Sequence, residues 1–421
     1  MNILILGNGG REHTFCWKLS QSVLEPSLFI ASGNAGTAQL GTNIDINPTD
    51  LEAVATAVGS HAIDLILVGP EAPLVAGIHD HIANHPTLSH IPVIGPKEEA
   101  AQLEGSKAYA KAFMERHNIP TAPYKQFDAQ SLDEGLVYLE TIPAPYVLKA
   151  DGLAAGKGVL IIHELEEAKT ALTDMLANKK FGAASEKVVI EGFLDGIELS
   201  CFVLTDGESH VTFPFAKDYK RIGEGDTGLN TGGMGAVSPV PFNDPVFKQK
   251  IHDRIIIPTM QGLKKDKLDF VGFVFIGLIR VGDDPFVIEY NVRMGDPETQ
   301  VVLPRIKNDM AALLMATSKK RLHEVTLQIS TQAAATVVGV AGGYPEAYEK
   351  GKAISGLAGQ GLIFQAGTTE DNGNVVTNGG RVLAATGFGT DVQEALTEAY
   401  SNLSNISFEG MYFRKDLGFD L

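Results

Sequence analysis

The sequence predicts an α/β protein whose first domain is a doubly wound parallel sheet and whose last domain is a small α+β unit. Three observations support this fold class. The first hundred residues alternate short apolar runs with helical patterns, and later apolar strands flank glycine-rich or polar turns. The length of 421 residues also exceeds what one ordinary core holds, so roughly two to four domains are expected.

The N-terminal sheet is predicted from apolar runs that resemble buried parallel strands, at residues 3–6, 28–31, 65–68 and 92–94. Three of these runs end in glycine or proline turns. Such turns lie at the carboxyl ends of the strands, where open α/β sheets bind ligands. A Rossmann-like domain is therefore expected over residues 1–104.

The central part, residues 105–324, is predicted to begin with a helix at 107–117 that Pro120 closes. Strands at 146–149 and 159–162 should flank a glycine-rich turn, and a helix at 164–177 should follow. Further strands are expected at 199–204, 211–215, 270–280 and 286–289. The stretch 325–421 has its own strand and turn signals and predicts the small α+β domain.

Composition narrows the class of protein. The formal net charge of −17 argues against a broad nucleic-acid surface. Only two cysteines, Cys16 and Cys201, are present, and they provide neither a disulfide framework nor a zinc-binding spacing. The chain shows no basic leader and no apolar stretch long enough to span a membrane. We expect a cytoplasmic, monofunctional protein without nucleic-acid or membrane partners.

The most informative segment is residues 149–158, KADGLAAGKG. Its small residues predict a loop that folds over phosphates and donates backbone N–H groups, with added charge from lysine. The residues concerned are Lys149, Gly152, Gly156, Lys157 and Gly158. The segment is not a Walker A loop, because no Gly-Lys-Ser/Thr opens a helix. The alternative is a flexible hairpin between two strands.

A second segment, residues 287–298 (VIEYNVRMGDPE), combines a strand with polar alternation. Glu289, Asn291 and Arg293 should project from one face. Carboxylate and amide oxygens suit magnesium, which bridges nucleotide phosphates, and a guanidinium binds a carboxylate or a phosphate bidentately. The alternative is an exposed polar strand face with a surface ion pair.

These two segments, in this order, resemble the ATP-grasp superfamily. Further motifs resemble one family within it, the phosphoribosylamine–glycine ligases: residues 7–13 (GNGGREH), 69–74 (GPEAPL), 103–107 (LEGSK), 230–236 (NTGGMGA) and 293–300 (RMGDPETQ). The resemblance runs from Met1 to Asp416. It implies an ATP-grasp core with a mobile lid at about residues 121–189.

The resemblance implies an ATP site around the glycine-rich loop. Lys107 and Lys149 would lie over the phosphates, and Glu198 would hold the ribose hydroxyls. Backbone groups at Glu191, Phe193 and Leu194 would line the adenine. Glu289 and Asn291 match the family's positions for Mg²⁺ (or Mn²⁺). The stretch 272–278 lacks the additional acid of many ATP-grasp enzymes, so ATP oxygens are expected to complete the metal shell.

The activity implied is ATP-dependent ligation of glycine to 5-phosphoribosylamine through glycyl phosphate, in de novo purine biosynthesis. The catalytic candidates are Arg293 for the glycine carboxylate, Asp218 for its ammonium and Lys149. The amides of Gly9 and Gly10 and the turn at residues 69–71 would receive the ribose 5-phosphate side of phosphoribosylamine, and Glu71 would bind ribose hydroxyls. Matched motifs add Lys220, Gly295 and Asp296 to the substrate site. The resemblance also suggests a monomer.

Three rival interpretations are weighed. A dinucleotide oxidoreductase would explain the first glycine-rich turn, but Glu12 stands where the third glycine belongs. Another ATP-grasp enzyme, such as a carboxylase or a formate-using transformylase, should lack residues 230–236 and 293–300 as they stand here. A non-enzymatic regulator with a relict ATP site is disfavoured by the intact lysines, Glu289 and Asn291.

Overall fold

The computed structural model describes residues 1–153, 158–359 and 361–421. Its N-terminal part is a five-stranded parallel sheet in the order β3-β2-β1-β4-β5 with flanking helices. The elements are β1 (Asn2–Gly7), α1 (Gly10–Leu19), β2 (Ser27–Ser32), β3 (Thr42–Ile44), α2 (Leu51–Ser60), β4 (Leu65–Val68), α3 (Glu71–Val75), α4 (Ile78–Ala83), β5 (Val93–Ile94) and α5 (Glu98–Gly105). The predicted strands are confirmed within about two residues. β3 was missed, because its three residues are only partly buried and form no apolar run.

The next part is a four-stranded antiparallel sheet in the order β6-β9-β7-β8, covered by two helices. Its elements, with the helix α6 that precedes them, are α6 (Lys107–Arg116), β6 (Tyr124–Asp128), α7 (Leu132–Thr141), β7 (Tyr146–Ala150), β8 (Val159–Ile162), α8 (Leu165–Leu176) and β9 (Lys187–Gly192). The sheet and α7 and α8 share a hydrophobic cluster of their own around Leu148, Leu172 and Ile190. β6 was not predicted, since only Phe127 on it is buried.

A second antiparallel sheet, β11-β10-β16-β17, forms the other wall of a cavity that residues of both sheets line. The elements of this region are β10 (Ile197–Thr205), β11 (His210–Thr212), β12 (Lys217–Asp218), β13 (Arg221–Gly223), β14 (Thr227–Asn230), β15 (Gly235–Ser238), α9 (Pro245–Ile251), α10 (Ile257–Lys265), β16 (Gly272–Val281), β17 (Asp284–Asn291), α11 (Thr299–Val302) and α12 (Met310–Ser318). The hairpin β16–β17 places the predicted polar strand face of residues 289 and 291 beside the cavity.

The C-terminal elements are β18 (Ala333–Val340), β19 (Leu362–Gln365), β20 (Thr368–Asp371), β21 (Asn374–Thr377), β22 (Arg381–Gly389) and α13 (Val392–Ser404). Their main sheet has the order β12-β15-β18-β22-β19, with β15 antiparallel to β18. Two of its strands therefore come from residues 217–238, well before position 325. This pairing brings the loops around Lys220 and Gly232 against the C-terminal part. No helix among the described residues has the length and apolarity needed to cross a membrane.

Candidate active site

A cavity of about 650 Å³ lies between the β6–β9 sheet and the β10–β17 sheet. It brings together predicted site residues that are spread over more than two hundred positions of the chain. Those that line it are Glu71, Lys107, Lys149, Gly152, Gly158, Glu191, Asp218, Lys220, Glu289, Asn291, Arg293 and Asp296. Gly156 and Lys157 lie outside the described residues.

One end of this cavity, called here the nucleotide end, is defined by Lys107, Lys111, Lys149 and Glu191. Helix α6 begins at Lys107 because the hydroxyl of Ser106 accepts a hydrogen bond from Tyr109 N–H at 3.0 Å. Lys107 and Lys111 then lie four residues apart on one helix face. The Nζ atoms of Lys111 and Lys149 each lie 3.0 Å from a different oxygen of Glu191. Two lysines thus pair with a single carboxylate, and Lys107 adds a third positive charge on the helix that carries Lys111.

Burial shifts the pKa values of the charged side chains at the nucleotide end. Burial lowers the pKa of Lys111 to about 8, with Glu191 opposing the shift and Lys149 adding to it. Burial also lowers the pKa of Lys107. For Glu191, burial alone would raise the pKa, but the two neighbouring lysines hold it below its usual value. The excess of buried positive charge makes this end suited to a polyanion such as the phosphates of a nucleotide.

The base of the glycine-rich loop is attached to the nucleotide end. The Asp151 carboxylate accepts hydrogen bonds from the Ser106 hydroxyl at 2.9 Å and from Ala108 N–H at 3.0 Å. Lys107 Nζ donates to the carbonyl of Gly152 at 3.0 Å. The first residues of the loop are thereby fixed to the start of helix α6.

The two predicted metal ligands lie on β17, between the two ends of the cavity. Among the described residues, no hydrogen bond or ion pair engages the carboxylate of Glu289. Asn291 Oδ1 accepts a hydrogen bond from Arg293 Nη2 at 3.0 Å, and its buried Nδ2 has no partner among the described residues. The part of the chain that the structure describes holds no cluster of three His, Cys, Asp or Glu side chains suited to a metal. One free carboxylate and one amide fit a magnesium ion that takes its other ligands from phosphates and water.

A second group of lining residues, called here the substrate end, centres on Arg293. Its Nη2 donates to Glu104 Oε1 at 2.6 Å, and its Nε lies 3.4 Å from Glu71 Oε2. Burial, helped by repulsion from Glu71 and opposed by Arg293, raises the pKa of Glu104 to about 7. Glu104 belongs to the quoted motif 103–107, but the sequence assigned it no role.

Two further buried carboxylates face the substrate end. Asp218 ends β12, and its Oδ1 lies 3.9 Å from Lys220 Nζ. Glu298 accepts a hydrogen bond from the Ser200 hydroxyl at 3.1 Å. Burial raises the pKa of both carboxyls, and the proximity of Asp218 contributes to lifting that of Glu298 to about 7. Glu298 was missed at the sequence level, where it was only one letter of the motif 293–300.

Gly9 and Gly10 do not line this cavity, and their predicted contact with the amine substrate stays a prediction. Gly9 N–H donates to Glu12 Oε2 at 2.6 Å. A Cβ at Gly9 would lie 3.0 Å from Asp296 Oδ2, and one at Gly10 would lie 2.5 Å from Gln300 Nε2. The two glycines therefore allow motif 7–13 to pack closely against motif 293–300, since any side chain there would collide.

The remaining predicted residues lie near the cavity without lining it. Gly295 leaves room for the carboxylate of Glu298, because a Cβ at this position would lie 2.4 Å from Glu298 Oε2. Glu198 forms an ion pair with Lys220 Nζ at 2.5 Å, and the side chains of Glu198 and Lys220 are 44% and 43% exposed. Lys220 holds the pKa of Glu198 below its usual value. Leu194 is half-buried and Phe193 is exposed.

Sequence reasoning also missed two arginines that line the cavity. Arg11 is buried and donates from Nε to Glu12 Oε1 at 2.6 Å and from Nη1 to the carbonyl of Met294 at 3.1 Å. Arg381, at the start of β22, donates to carbonyl oxygens of Gly232 and Asp296 at 2.7 and 2.5 Å. In the sequence, Arg11 was indicated only by its place in the motif 7–13, and Arg381 lies in none of the quoted motifs.

Together, the parallel N-terminal sheet, the two antiparallel sheets around a lysine-rich cavity and the polar β17 face define an ATP-grasp enzyme. A solved biotin carboxylase domain of 2-oxoglutarate carboxylase from Hydrogenobacter thermophilus shares this fold, with a TM-score of 0.72, 15% identity, and coverage of 98% of this chain and 91% of that one. The phosphoribosylamine–glycine ligase structure from Thermotoga maritima is more similar. Its TM-score is 0.86 at 36% identity, covering 99% of this chain and all of that one.

Sequence comparison identifies the family. Models of the N domain, the ATP-grasp (A) domain and the C domain of phosphoribosylglycinamide synthetase match residues 1–104, 105–299 and 334–420. The chain is 46% identical to the phosphoribosylamine–glycine ligase of Yersinia pestis over its full length and 98% of that protein. It is also 46% identical to a bifunctional purine biosynthetic protein of Pichia angusta, of which it spans 53%. The chain belongs to the phosphoribosylglycinamide synthetase family and is an ATP-dependent ligase.

Proposed function

We propose that the chain joins glycine to 5-phosphoribosylamine in two steps at the cavity described above, with glycyl phosphate as the intermediate. The observation that carries this proposal is the polarity of the cavity. At the nucleotide end three lysines outnumber the one carboxylate of Glu191. At the substrate end the carboxylates of Asp218 and Glu298 lie beside Lys220 and Arg293, and β17 runs between the two ends. ATP phosphates match the first end, and the ammonium group of an amino acid matches the second.

In this proposal the nucleotide end binds ATP. Lys107 and Lys149 contact the phosphates, together with the loop at Gly152, Gly156, Lys157 and Gly158. Glu191 holds Lys149 and Lys111 in place through its side chain, so only its backbone is left for the adenine. Backbone groups at Phe193 and Leu194 complete the adenine contacts, and Glu198 at the cavity's rim binds the ribose hydroxyls.

Glu289 and Asn291 are the residues that would hold Mg²⁺ or Mn²⁺. A bound ion would neutralise phosphate charge as phosphoryl transfer proceeds. The related biotin carboxylase domain was solved with magnesium ADP. The single free carboxylate of Glu289 gives this chain a small protein contribution to such a site, which makes metal affinity depend on the nucleotide.

Glycine would lie at the substrate end. Asp218 and Glu298 would bind its ammonium group, and Arg293 its carboxylate. Most donors of Arg293 already contact Glu104, Glu71, Asn291 and Met294, so this guanidinium is held rigidly. A rigid arginine orients the carboxylate toward the nucleotide end, and orientation is the main contribution a protein makes to phosphoryl transfer.

The chemistry then needs no nucleophilic side chain. A glycine carboxylate oxygen attacks the γ-phosphorus of ATP, and the bond to ADP breaks. The amine of phosphoribosylamine then attacks the glycyl carbonyl, phosphate leaves with its bonding electron pair, and the nitrogen loses a proton. Lys149 stabilises charge in the first step, while Glu71, Lys220 and Asp296 surround the incoming amine substrate in the second.

The region at residues 121–189 is proposed to act as a lid. Its separate hydrophobic cluster lets it move as a unit, because closure need not disturb the core beneath β10–β17. Closure would exclude water, which otherwise hydrolyses an acyl phosphate. We further propose a monomer in the cytoplasm, where the buried free thiols of Cys16 and Cys201 stay reduced.

The deciding experiment follows ADP release with purified protein, magnesium and ATP. Glycine and freshly made phosphoribosylamine are added separately and together, and hydroxylamine is used to trap glycyl phosphate as glycine hydroxamate. We expect hydroxamate to require ATP and glycine, and rapid ADP release to require all three substrates. Glu289→Ala should abolish both signals, whereas Glu208→Ala, at an exposed position, should leave them unchanged. ADP release that ignores glycine but responds to formate or bicarbonate would refute the assignment.

A further inference from the structure

The expected phosphate site at the start of helix α1 already carries protein carboxylates. Gly9 N–H donates to Glu12 at 2.6 Å, and Arg11 N–H donates to Asp296 Oδ2 at 3.3 Å. A phosphate monoester there would lie beside two carboxylates, which is electrostatically unfavourable. The phosphate of phosphoribosylamine therefore needs another cationic partner.

Arg381 offers such a partner. Its Nη1 donates to the carbonyl oxygens of Gly232 at 2.7 Å and Asp296 at 2.5 Å, which fixes the guanidinium plane. Among the described residues, its Nε and Nη2 have no hydrogen-bond partner. These two nitrogens form the edge that binds an oxyanion bidentately. The orientation of the arginine is thus set by the protein, and its binding edge is left open.

Among the described residues, one carboxylate lies within ion-pair distance of Arg381. The carboxylate of Asp296 is the nearest acid, with Oδ1 3.5 Å from Nη1 of Arg381. The same carboxylate interacts with Arg11, and together the two arginines hold the pKa of Asp296 below its usual value against the effect of burial. Since Arg11 is also paired with Glu12, the two guanidinium groups face two carboxylates, and the open hydrogen-bonding edge is what Arg381 offers an anion.

Arg381 stands where two cavities meet. It lines the active-site cavity together with Asp296 and Tyr344, and the same three residues line a second polar cavity of about 610 Å³. The second cavity continues between the loops at Asn8 and Asn34 and the C-terminal strands. A substrate with its amine at the substrate end and its phosphate at Arg381 therefore has room beyond the phosphate for solvent.

A glycine keeps this arrangement possible. A Cβ at Gly232 would lie 2.8 Å from Cζ of Arg381 and 3.0 Å from both Nε and Nη2. Any larger residue at this position would displace the guanidinium. Gly232 in the motif 230–236 is therefore a glycine because the guanidinium of Arg381 packs against it, which the sequence alone did not indicate.

We propose that the open Nε and Nη2 edge of Arg381 binds the 5-phosphate of phosphoribosylamine, which makes Arg381 the residue that selects the phosphorylated amine. This inference rests on the proposed function. It moves the phosphate site from the start of helix α1 to the C-terminal part of the protein.

The test compares phosphoribosylamine with ribosylamine, which lacks the phosphate, in the wild type and in Arg381→Gln. We expect kcat/KM for phosphoribosylamine to fall about 100-fold, since charge-assisted bidentate contacts are lost. The value for ribosylamine should change less than about 3-fold, because its binding uses no contact to Arg381. Formation of glycine hydroxamate from ATP, glycine and hydroxylamine should be unchanged, which also shows that the variant is folded. Arg321→Gln, an exposed arginine, serves as the control.

A second measurement uses inhibition by ribose 5-phosphate and by ribose. The wild type should bind ribose 5-phosphate more tightly than ribose, and Arg381→Gln should bind the two alike. Arg381→Lys should recover only part of the preference, because an ammonium has no planar fork. Equal losses for both amines, or an unchanged preference for the phosphorylated sugar, would overturn the proposal. Failure of the proposed function itself looks different, since the wild type would then form no glycine hydroxamate.

Discussion

The two ends of the active-site cavity are built in different ways. At the nucleotide end, Lys111 and Lys149 pair with Glu191 and Lys107 adds a third cation, and all four residues come from a stretch of about 85 residues, 107 to 191. At the substrate end, Glu71 and Glu104 are paired with Arg293 from a distant part of the chain, and Asp218 lies beside Lys220. A polyanion can be bound by a cluster of similar cations, whereas an amino acid and an amine need opposite charges at fixed separations.

The largest expected effect comes from removing a cation at the nucleotide end. Lys149→Ala should lower the rate of glycine-dependent ADP formation by about 10³-fold, because a preorganised charge near the transferred phosphate is lost. Initial rates at saturating ATP and glycine measure the effect. The control is Lys169→Ala on the lid surface, where a partly exposed pair with Glu140 contributes little. Equal activity of the two variants would show that the nucleotide end does not act through Lys149.

At the substrate end, Glu298→Gln should raise the KM for glycine about 30-fold at pH 8, because a carboxylate facing the ammonium is neutralised. The pKa of Glu298 is about 7, so the wild-type carboxyl is increasingly protonated as the pH falls. The ratio of glycine KM values, variant over wild type, should therefore shrink toward one near pH 6. Steady-state kinetics between pH 6 and 8.5 test this. A ratio that does not change with pH would mean that Glu298 does not bind the ammonium through its charge.

A smaller effect is expected from Gly295→Ala, which acts on Glu298 indirectly. The added methyl carbon would lie 2.4 Å from Glu298 Oε2, so the carboxylate must shift. We expect the KM for glycine to rise about 10-fold while the KM for ATP stays the same, since one hydrogen-bonding group is displaced. Gly59→Ala is the matched control, because no atom lies within 4 Å of a Cβ there. A change confined to ATP kinetics would contradict this account.

The smallest effect concerns the attachment of the glycine-rich loop. Asp151→Ala removes an acceptor for Ala108 N–H and the Ser106 hydroxyl, and it should lower the free energy of unfolding by about 1 kcal/mol. Asp391→Ala removes the cap of α13, far from the cavity, and should cost a similar amount. Denaturant unfolding and ATP kinetics separate the two. Only Asp151→Ala should also raise the KM for ATP.

Much of the N-terminal fold was predictable because its strands are buried on both faces. The run at residues 65–68 is a strand with the predicted bounds, and the other runs differ by one residue at one or both ends. Strand β6 escaped prediction because only one of its five residues is buried, so it has no apolar pattern to detect. The contribution of β12 and β15 to the C-terminal sheet was also unforeseen, since pairing between residues 235–238 and 334–337 leaves no local signal.

The sequence by itself determined which residue types stand on the glycine-rich loop and on β17, because strand alternation and small side chains act locally. Only the tertiary structure decided that Lys111, Glu104, Glu298 and Arg381 join them. Each of these became part of the site through a partner distant in the chain: Glu191, Arg293, Ser200 and Asp296. Charge compensation across such distances depends on burial and on the packing of separate sheets, which no local pattern in the chain encodes.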